Sequence, residues 1–234
     1  MKALLVVTFL TVTVFAKFPS KEENLKLAEK AVKELKELVD ADKAEVWPDL
    51  EREEDDLKIY TKESPFPELS ENIYLAETVI KANVTKVYEL LKPWGELRTK
   101  WDDLYEYIKV IDKINENTYV VHEAIHAKLL LSARDAVVVC QKADFGKEIV
   151  MACHNTTSAE VPESDDYVRT VKRLNGFSVK PYSKDPKWTE LKLLLGVDLN
   201  LKVGFFSSIV NRFKPGQLSE FVERLNAALP DYYV

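Results

Sequence analysis

The feature that most constrains the fold is an uninterrupted series of β-strand patterns in the second half of the chain. Each pattern is a short run rich in β-branched, aromatic or alternating apolar residues, and polar or Gly/Pro turns separate the runs. The predicted strands cover residues 105–113, 118–130, 135–142, 148–156, 166–182 and 187–199. Parallel strands need a crossover segment, usually a helix, and the sequence offers none between these runs, so the sheet is predicted to be antiparallel.

An amphipathic helix is predicted on each side of this series. Ser20 and Glu23 have the spacing of a capping box, and apolar residues recur at helical spacing behind them, which predicts a helix over residues 20–42. After Pro215-Gly216 an apolar stripe predicts a last helix that ends near Leu229.

Shorter elements are predicted between the first helix and the main strand series. Alternation indicates strands around residues 57–61 and 73–82, and a short helix at 84–91 ends before Pro93. The order is therefore helix, strands, small helix, strands and long helix, with no internal repeat and no linker. This order predicts an α+β fold in a single domain.

The first 16 residues have the pattern of a secretory signal peptide. Lys2 precedes an uncharged run from Ala3 to Ala16, and polarity rises directly after that run. The run is shorter than the ~20 residues that a membrane-spanning helix needs. We therefore expect a signal peptide at 1–16, cleavage after Ala16, and a secreted mature domain of residues 17–234.

The net charge narrows the class of partner. The chain carries a formal charge of −6, and an acidic protein lacks the electrostatic attraction that nucleic acids and anionic membranes exert on basic surfaces. We expect no nucleic-acid partner and a neutral or apolar ligand.

Two cysteines and two glycosylation sequons gain meaning if the chain is exported. Cys140 and Cys153 lie on two predicted strands around the Asp144–Lys147 turn, where they would face each other across a hairpin. Either a disulfide or two buried thiols fits this pattern. Asn83 and Asn155 begin Asn-x-Thr sequons and are candidate glycan sites.

A zinc-protease motif offers a rival function. The segment His122-Glu123-Ala124-Ile125-His126 fits H-E-x-x-H, which binds zinc only when a helix brings both histidines to one ion. The Tyr119-Val120-Val121 run ahead of it favours a strand, where the two histidines would be ~13 Å apart. We therefore predict no metal and no catalytic residue, and keep a secreted zinc metalloprotease as the alternative.

Other catalytic patterns are missing from the sequence. It has no phosphate-binding glycine loop and no Gly-x-Ser-x-Gly nucleophile motif, and neither cysteine has a base nearby in the chain. We expect a protein that is not an enzyme and that needs no cofactor.

Several short motifs, taken in order, resemble one known family. Lys100-Trp101-Asp102 is followed by His122-Glu123, by Ser132-Ala133-Arg134-Asp135, by Val168-Arg169 and by Val197-Asp198-Leu199, and an amphipathic helix closes the chain. Over about residues 47–230 this succession is similar to the START (steroidogenic acute regulatory protein related lipid-transfer) domain. Each motif is weak alone, but their order and intervals are specific.

The resemblance implies a helix-grip fold, in which a curved antiparallel sheet wraps around the long C-terminal helix and encloses a tunnel for one lipid. It implies a buried acidic and basic pair at Glu123 and Arg134 that orients the ligand. On the predicted strand, Tyr119, Val121 and Ile125 share the face of Glu123, and all five are candidate ligand-binding residues. A purely structural ion pair is the alternative.

The resemblance also implies a lid, transient membrane contact during cargo exchange, and a monomer. The candidate lid or gate residues are Phe145, Phe205, Phe206, Phe221 and Leu225. Packing in the core is the alternative role for these side chains. A sterol is the first candidate for the ligand, with phospholipid or fatty acid as alternatives, and a ligand-free extracellular interaction module is a further alternative for the whole protein.

The chain departs from the family pattern in two respects. Family members mostly act inside cells, whereas this sequence predicts export. After Asp198-Leu199 the chain reads Asn200-Leu201-Lys202-Val203-Gly204, where the family tends to have a glycine and a proline, so a gate at this point would move differently.

Overall fold

The computed structural model describes residues 18–127, 131–200 and 205–232, without the side chains of 205–213. The predicted signal peptide lies outside the described residues. The helices are α1 (Lys21–Asp40), α2 (Lys43–Val46), α3 (Val84–Leu91), α4 (Arg98–Trp101) and α5 (Phe205–Ala228), followed by a 3-10 turn at Leu229–Asp231. The strands are β1 (Asp49–Glu54), β2 (Leu57–Lys62), β3 (Ile73–Ile80), β4 (Tyr105–Asn115), β5 (Thr118–Ile125), β6 (Arg134–Phe145), β7 (Glu148–Asn155), β8 (Val168–Arg169), β9 (Val171–Pro181) and β10 (Thr189–Asp198).

The described strands form one large sheet. Its order is β1-β2-β3-β10-β9-β7-β6-β5-β4, with every neighbouring pair along this path antiparallel. The short strand β8 lies off the path and pairs in parallel with β6. Three register shifts between β4 and β5, and one between β9 and β10, mark bulges, which bend and twist a sheet. The predicted antiparallel, curved sheet is confirmed.

Helix α1 packs on the convex face of this sheet. Its capping box at Ser20 and Glu23 is present, and its buried stripe packs against β6, β7 and β9. Leu35 is fully buried in the cluster formed there. Gly176 on β9 permits this close approach, because a Cβ atom at this position would lie 2.7 Å from Leu35 Cδ1 and 2.1 Å from the Met151 carbonyl oxygen.

Helices α3 and α5 lie on the concave face. Val87, Leu90 and Leu91 of α3 join one buried cluster with Leu218, Val222 and Leu225 of α5 and with inward-facing residues of the sheet. The sheet therefore holds α5 against its inner side, which is the predicted helix-grip architecture. No helix in the described ranges is both long and apolar enough to cross a membrane.

The short helices α2 and α4 were not predicted, and the predicted strand 166–182 is divided into β8 and β9. Three further elements differ from the sequence predictions. Strand β5 ends at Ile125 rather than at residue 130. Strand β1 was not predicted, because its acidic sequence has no apolar alternation; it is an edge strand whose backbone pairs with β2. Helix α5 begins at Phe205, and Pro215, which the sequence rules treat as a start signal, lies inside it.

Candidate ligand-binding cavity

A cavity of about 260 Å³ lies between the concave face of the sheet and helix α5. Most of the side chains that line it are apolar, among them Leu104, Ile108, Ile125, Met151, Phe177 and Leu218. Such a lining holds a hydrophobic molecule away from water, and the few polar groups in it fix the orientation of the ligand.

Glu123 enters the cavity from β5 and forms an ion pair with Lys172 of β9. Lys172 Nζ lies 2.7 Å from Glu123 Oε1, and the two side chains are 12% and 6% exposed. Burial alone would lower the pKa of Lys172, but the charge and hydrogen bond of Glu123, together with Tyr105, outweigh burial and raise that pKa. Lys172 therefore keeps its positive charge beside the Glu123 carboxylate.

Arg134 opens strand β6 at the same end of the cavity and is 5% exposed. The family resemblance implies an ion pair between Arg134 and Glu123, but Lys172 occupies the Glu123 carboxylate instead. The Nε of Arg134 donates to the Leu199 carbonyl oxygen at 3.2 Å, and its Nη1 donates to the Ser132 carbonyl oxygen. Burial lowers the pKa of Arg134, and the charge of nearby Glu71 partly offsets that effect.

Lys214, near the middle of α5, binds this helix to residues beside the cavity. Its Nζ lies 2.5 Å from Glu71 Oε2 and donates to the Val197 carbonyl oxygen at 3.0 Å. The side chains of Lys214 and Glu71 are 5% and 3% exposed. Burial lowers the pKa of Lys214 despite this partner.

A second ionic contact holds α5 further along. The fully buried carboxylate of Asp102 lies 2.8 Å from Arg98 Nη2 and 3.2 Å from Arg224 Nη2. The Arg98 guanidinium also lies over the rings of Trp101 and Phe221, at 4.9 and 4.7 Å from their centroids. Both arginines line the cavity, so α4 and α5 are joined at its edge.

The sequence model of the START domain matches residues 26–232, which is most of the chain. This chain belongs to the START domain family. START domains bind lipids, so the cavity lies in a lipid-binding fold.

Relatives of known identity agree with this assignment. The mitochondrial steroidogenic acute regulatory protein of Homo sapiens is 27% identical over 162 residues, which cover 68% of this chain and 56% of that protein. Its counterpart in Mus musculus is 28% identical over 159 residues, covering 67% and 55%. The chain thus spans little more than half the length of these relatives.

Solved structures show the same fold. Human StAR-related lipid transfer protein 5 superposes with a TM-score of 0.81 at 20% identity, covering 91% of this chain and 99% of that one. Human STARD10 superposes with a TM-score of 0.74 at 15% identity, covering 94% and 83%. The predicted helix-grip fold and START resemblance are confirmed.

The predicted ligand-binding residues of this START domain occupy different surroundings. Glu123, Arg134 and Ile125 line the cavity, whereas Tyr119 and Val121 do not. Val121 is fully buried in the concave core, and the Tyr119 ring stacks on Trp94 at 4.7 Å. All share one face of the sheet, but the space at the Tyr119 end is filled by side chains, so only the other end is hollow.

The predicted lid residues also separate. Phe221 lines the cavity, and Leu225 is fully buried in the core beneath α5. Phe145 is 46% exposed at the far end of β6 from Arg134, with Lys36 of α1 over its ring. It therefore lies on the α1 side of the sheet, away from the residues that line the cavity. The side chains of Phe205 and Phe206 lie outside the described residues.

The two cysteines are paired, and the asparagines of the two sequons differ in exposure. Cys140 and Cys153 are directly opposite in the β6–β7 ladder and form a disulfide, beyond a turn in which Gly146 has a φ of 66°. Asn83 is exposed at the N-cap of α3, where its side-chain oxygen accepts from the Lys86 amide at 2.9 Å. Asn155, at the end of β7, is half-buried.

The H-E-x-x-H segment is a strand rather than a helix. His122 points to the outer side of the sheet, where its Nε2 lies 2.9 Å from Asp135 Oδ2, while Glu123 points into the cavity and His126 follows the strand end. Within the described ranges no three His, Cys, Asp or Glu side chains gather as a metal site. The strand geometry therefore does not support the zinc-protease alternative.

Sequence reasoning missed the cationic side of the cavity, which consists of Lys172, Lys214, Arg98 and Arg224. For Lys172 the strand alternation is misleading. A bulge opposite Gly196 and Val197 shifts the phase of β9, so that Leu174 faces the α1 side although Lys172, two residues earlier, faces the cavity.

Proposed function

We propose that this protein is a secreted lipid carrier that holds one lipid molecule in the cavity under α5. The observation that carries the proposal is a largely apolar cavity with a small set of buried charged groups, inside a START domain. Burial of the ligand is driven by the hydrophobic effect, at ~25 cal/mol for each Å² of apolar area removed from water.

The cavity volume favours a slim ligand. At about 260 Å³ it falls just below the ~300–1,000 Å³ typical of small-molecule pockets. A single ring system or a single acyl chain suits this space better than a phospholipid with two chains. A sterol skeleton is our first candidate because of the family relationship, and a fatty acyl chain is the second.

Three features support the secreted location. The first 16 residues have the signal-peptide pattern. The Cys140–Cys153 disulfide belongs to an oxidising compartment, since cytosolic thiols are kept reduced. The sequon at Asn83 is on the surface, where a glycan can be attached.

We propose transport without catalysis. Each charged group that lines the cavity has a role in holding the fold or in orienting a ligand, and His122, the base with the nearest carboxylate partner, faces away from it. Cargo exchange then requires transient contact with a membrane by a monomer that releases its lipid there.

The carrier proposal is tested by native mass spectrometry after incubation with vesicles that contain sterol and fatty acid. We expect one lipid for each protein molecule. An Ile125→Trp variant, which fills the cavity, should lose the bound lipid, while Val110→Trp on the exposed surface should keep it. Absence of any retained lipid in the wild type would instead support an interaction module without ligand.

The secretion proposal is tested by expressing the full chain in eukaryotic cells. We expect the protein in the medium, with an N-terminus after residue 16. An Asn83→Gln variant should lose the mass of one glycan. Retention of the protein inside the cells would contradict this part of the proposal.

A further inference from the structure

The charges around the cavity do not balance, although the whole chain is acidic. Among the described residues, five cationic side chains line it: Arg98, Arg134, Lys172, Lys214 and Arg224. Three buried carboxylates accompany them on this side of the sheet, Glu123 in the lining and Glu71 and Asp102 beside it, whereas the carboxylate of Asp135, a further lining residue, points outward and is paired with Arg169. Five minus three leaves two positive charges at the cavity of a protein whose formal charge is −6.

The ion pairs show where the surplus lies. Glu123 is taken by Lys172 at 2.7 Å, and Glu71 by Lys214 at 2.5 Å. The two arginines at the α5 edge share Asp102, and Arg224 also reaches exposed Asp103 and Glu220 at 3.5 and 3.8 Å. Of the cations that line the cavity in the described part of the chain, Arg134 is the one without an ion pair of 4.0 Å or less.

Arg134 has donors left for a ligand. A guanidinium carries five N–H groups, and hydrogen bonds to the Leu199 and Ser132 carbonyl oxygens use two of them, which leaves three. Among the described residues, its guanidinium makes no ion pair of 4.0 Å or less. Arg134 is 5% exposed, and Glu71, which is paired directly with Lys214, offsets only part of the cost of burying this charge. A bound anion would reduce the remaining cost.

We propose that the lipid carried in this cavity is an acid, and that its carboxylate binds Arg134 through the free N–H groups of the guanidinium. This inference rests on the proposed carrier function and narrows its ligand. Paired N–H donors match the two oxygens of a carboxylate, whereas a hydroxyl offers one oxygen and no charge. Lys172 already pairs with Glu123 and Lys214 with Glu71, so no carboxylate of the described residues lies within 4.0 Å of the Arg134 guanidinium to compete with the ligand.

The same carboxylate chemistry has two sources, a fatty acid and a steroid acid. The hydrophobic body then lies along the apolar wall, which includes Ile108, Ile125 and Leu195. Both bodies are slimmer than a phospholipid with two acyl chains, so the experiment has one arm for each.

The test compares acids with neutral molecules of the same shape by calorimetric titration of the full chain. The probes are palmitic acid and methyl palmitate, and a steroid carboxylic acid and its methyl ester. We expect at least one acid to bind about tenfold or more tightly than its ester at pH 7. The acid with the larger preference over its own ester shows whether the ligand is a fatty acid or a steroid acid.

Variants assign the preference to Arg134. Arg134→Gln should reduce the affinity for the acid to that for the ester and leave ester binding unchanged. Lys180→Gln, which removes a cation of β9 outside the cavity, should keep the preference. Should Arg134→Gln not fold, the wild type still provides a test, because acid binding should weaken when the ligand is protonated at low pH while ester binding should not.

The outcomes separate the two proposals. Equal affinity for acid and ester in the wild type overturns the acidic-ligand inference and leaves the carrier function standing. Failure of all four probes and of neutral sterol to bind overturns the carrier function itself.

Discussion

The two faces of the same sheet are packed differently. On the convex face, Leu35 and Val39 of α1 are fully buried against the strands, and Gly176 permits this close approach. On the concave face, α5 is held at its edges by ion pairs around Glu71 and Asp102, and a cavity remains beneath it. The convex face is therefore covered by a packed helix, whereas the concave face of this START domain combines a packed core at one end with a ligand cavity at the other.

The largest expected effect breaks the ionic balance of the concave face. Lys172→Met leaves Glu123 buried without a partner, which should lower the free energy of unfolding by roughly 3–5 kcal/mol. The double variant Glu123→Leu/Lys172→Met should recover most of that loss, because neither charge remains. Urea denaturation of the three proteins measures both values. A double variant no more stable than the single one would show that the pair itself stabilises the fold.

A pair of truncations compares the two faces directly. Leu35→Ala opens a void in the filled convex core and should lower the free energy of unfolding by about 3–4 kcal/mol. Ile125→Ala removes atoms from a wall that already borders a cavity, so roughly 1 kcal/mol is expected. Thermal and denaturant unfolding check both variants. Equal losses would mean that the cavity wall is as tightly packed as the α1 face.

The disulfide belongs to a strand that contributes to both faces of the sheet. Cys153 lines the cavity, and its strand β7 also contacts α1. Cys140 and Cys153 are 13 residues apart, and a loop of this size corresponds to about 3 kcal/mol. The double variant Cys140→Ala/Cys153→Ala should lose about that much stability. Unfolding of the wild type in reducing buffer should match the variant, and an unchanged midpoint in both would contradict the expectation.

The smallest expected effect is a pH dependence from the outer side of the sheet. Burial pushes the pKa of Asp135 upward, but hydrogen bonds from Arg169 and His122 outweigh it and hold that pKa below its ordinary value. The folded pKa is therefore below the unfolded one. The stabilisation is complete above the unfolded pKa of about 3.9 and is lost as the pH falls through the folded pKa.

An Asp135→Asn variant tests this sign. Its deficit in the free energy of unfolding relative to the wild type should be greatest near neutral pH and should shrink in acid. A deficit that stays constant from pH 7 to pH 2 would rule out the ionisation of Asp135 as its source.

The sequence predicts the parts of the molecule in which a pattern repeats. Apolar spacing and the Ser20 cap predict α1, and strand alternation predicts β6, β7 and their turn, because these elements are half-buried and regular. The inward position of Glu123 follows from the same alternation. The family motifs also predict that Arg134 lines the cavity.

The rest depends on departures from a pattern. The bulge in β9 turns Lys172 inward, and a local register shift leaves no signal in residue spacing. Phe145 follows the alternation of β6 to the α1 side, which a motif-based lid assignment ignores. The filled end of the concave face, where Tyr119 stacks on Trp94, depends on a contact between residues far apart in the chain.

At position 176 the bare peptide backbone is all that separates the cargo space from Leu35. A lipid too thick for the cavity would push the backbone of β9 against α1, although the lipid itself does not contact α1. We therefore expect α1 to help set the upper limit on the girth of the cargo, so that substitutions on the far side of the sheet alter which lipids are accepted.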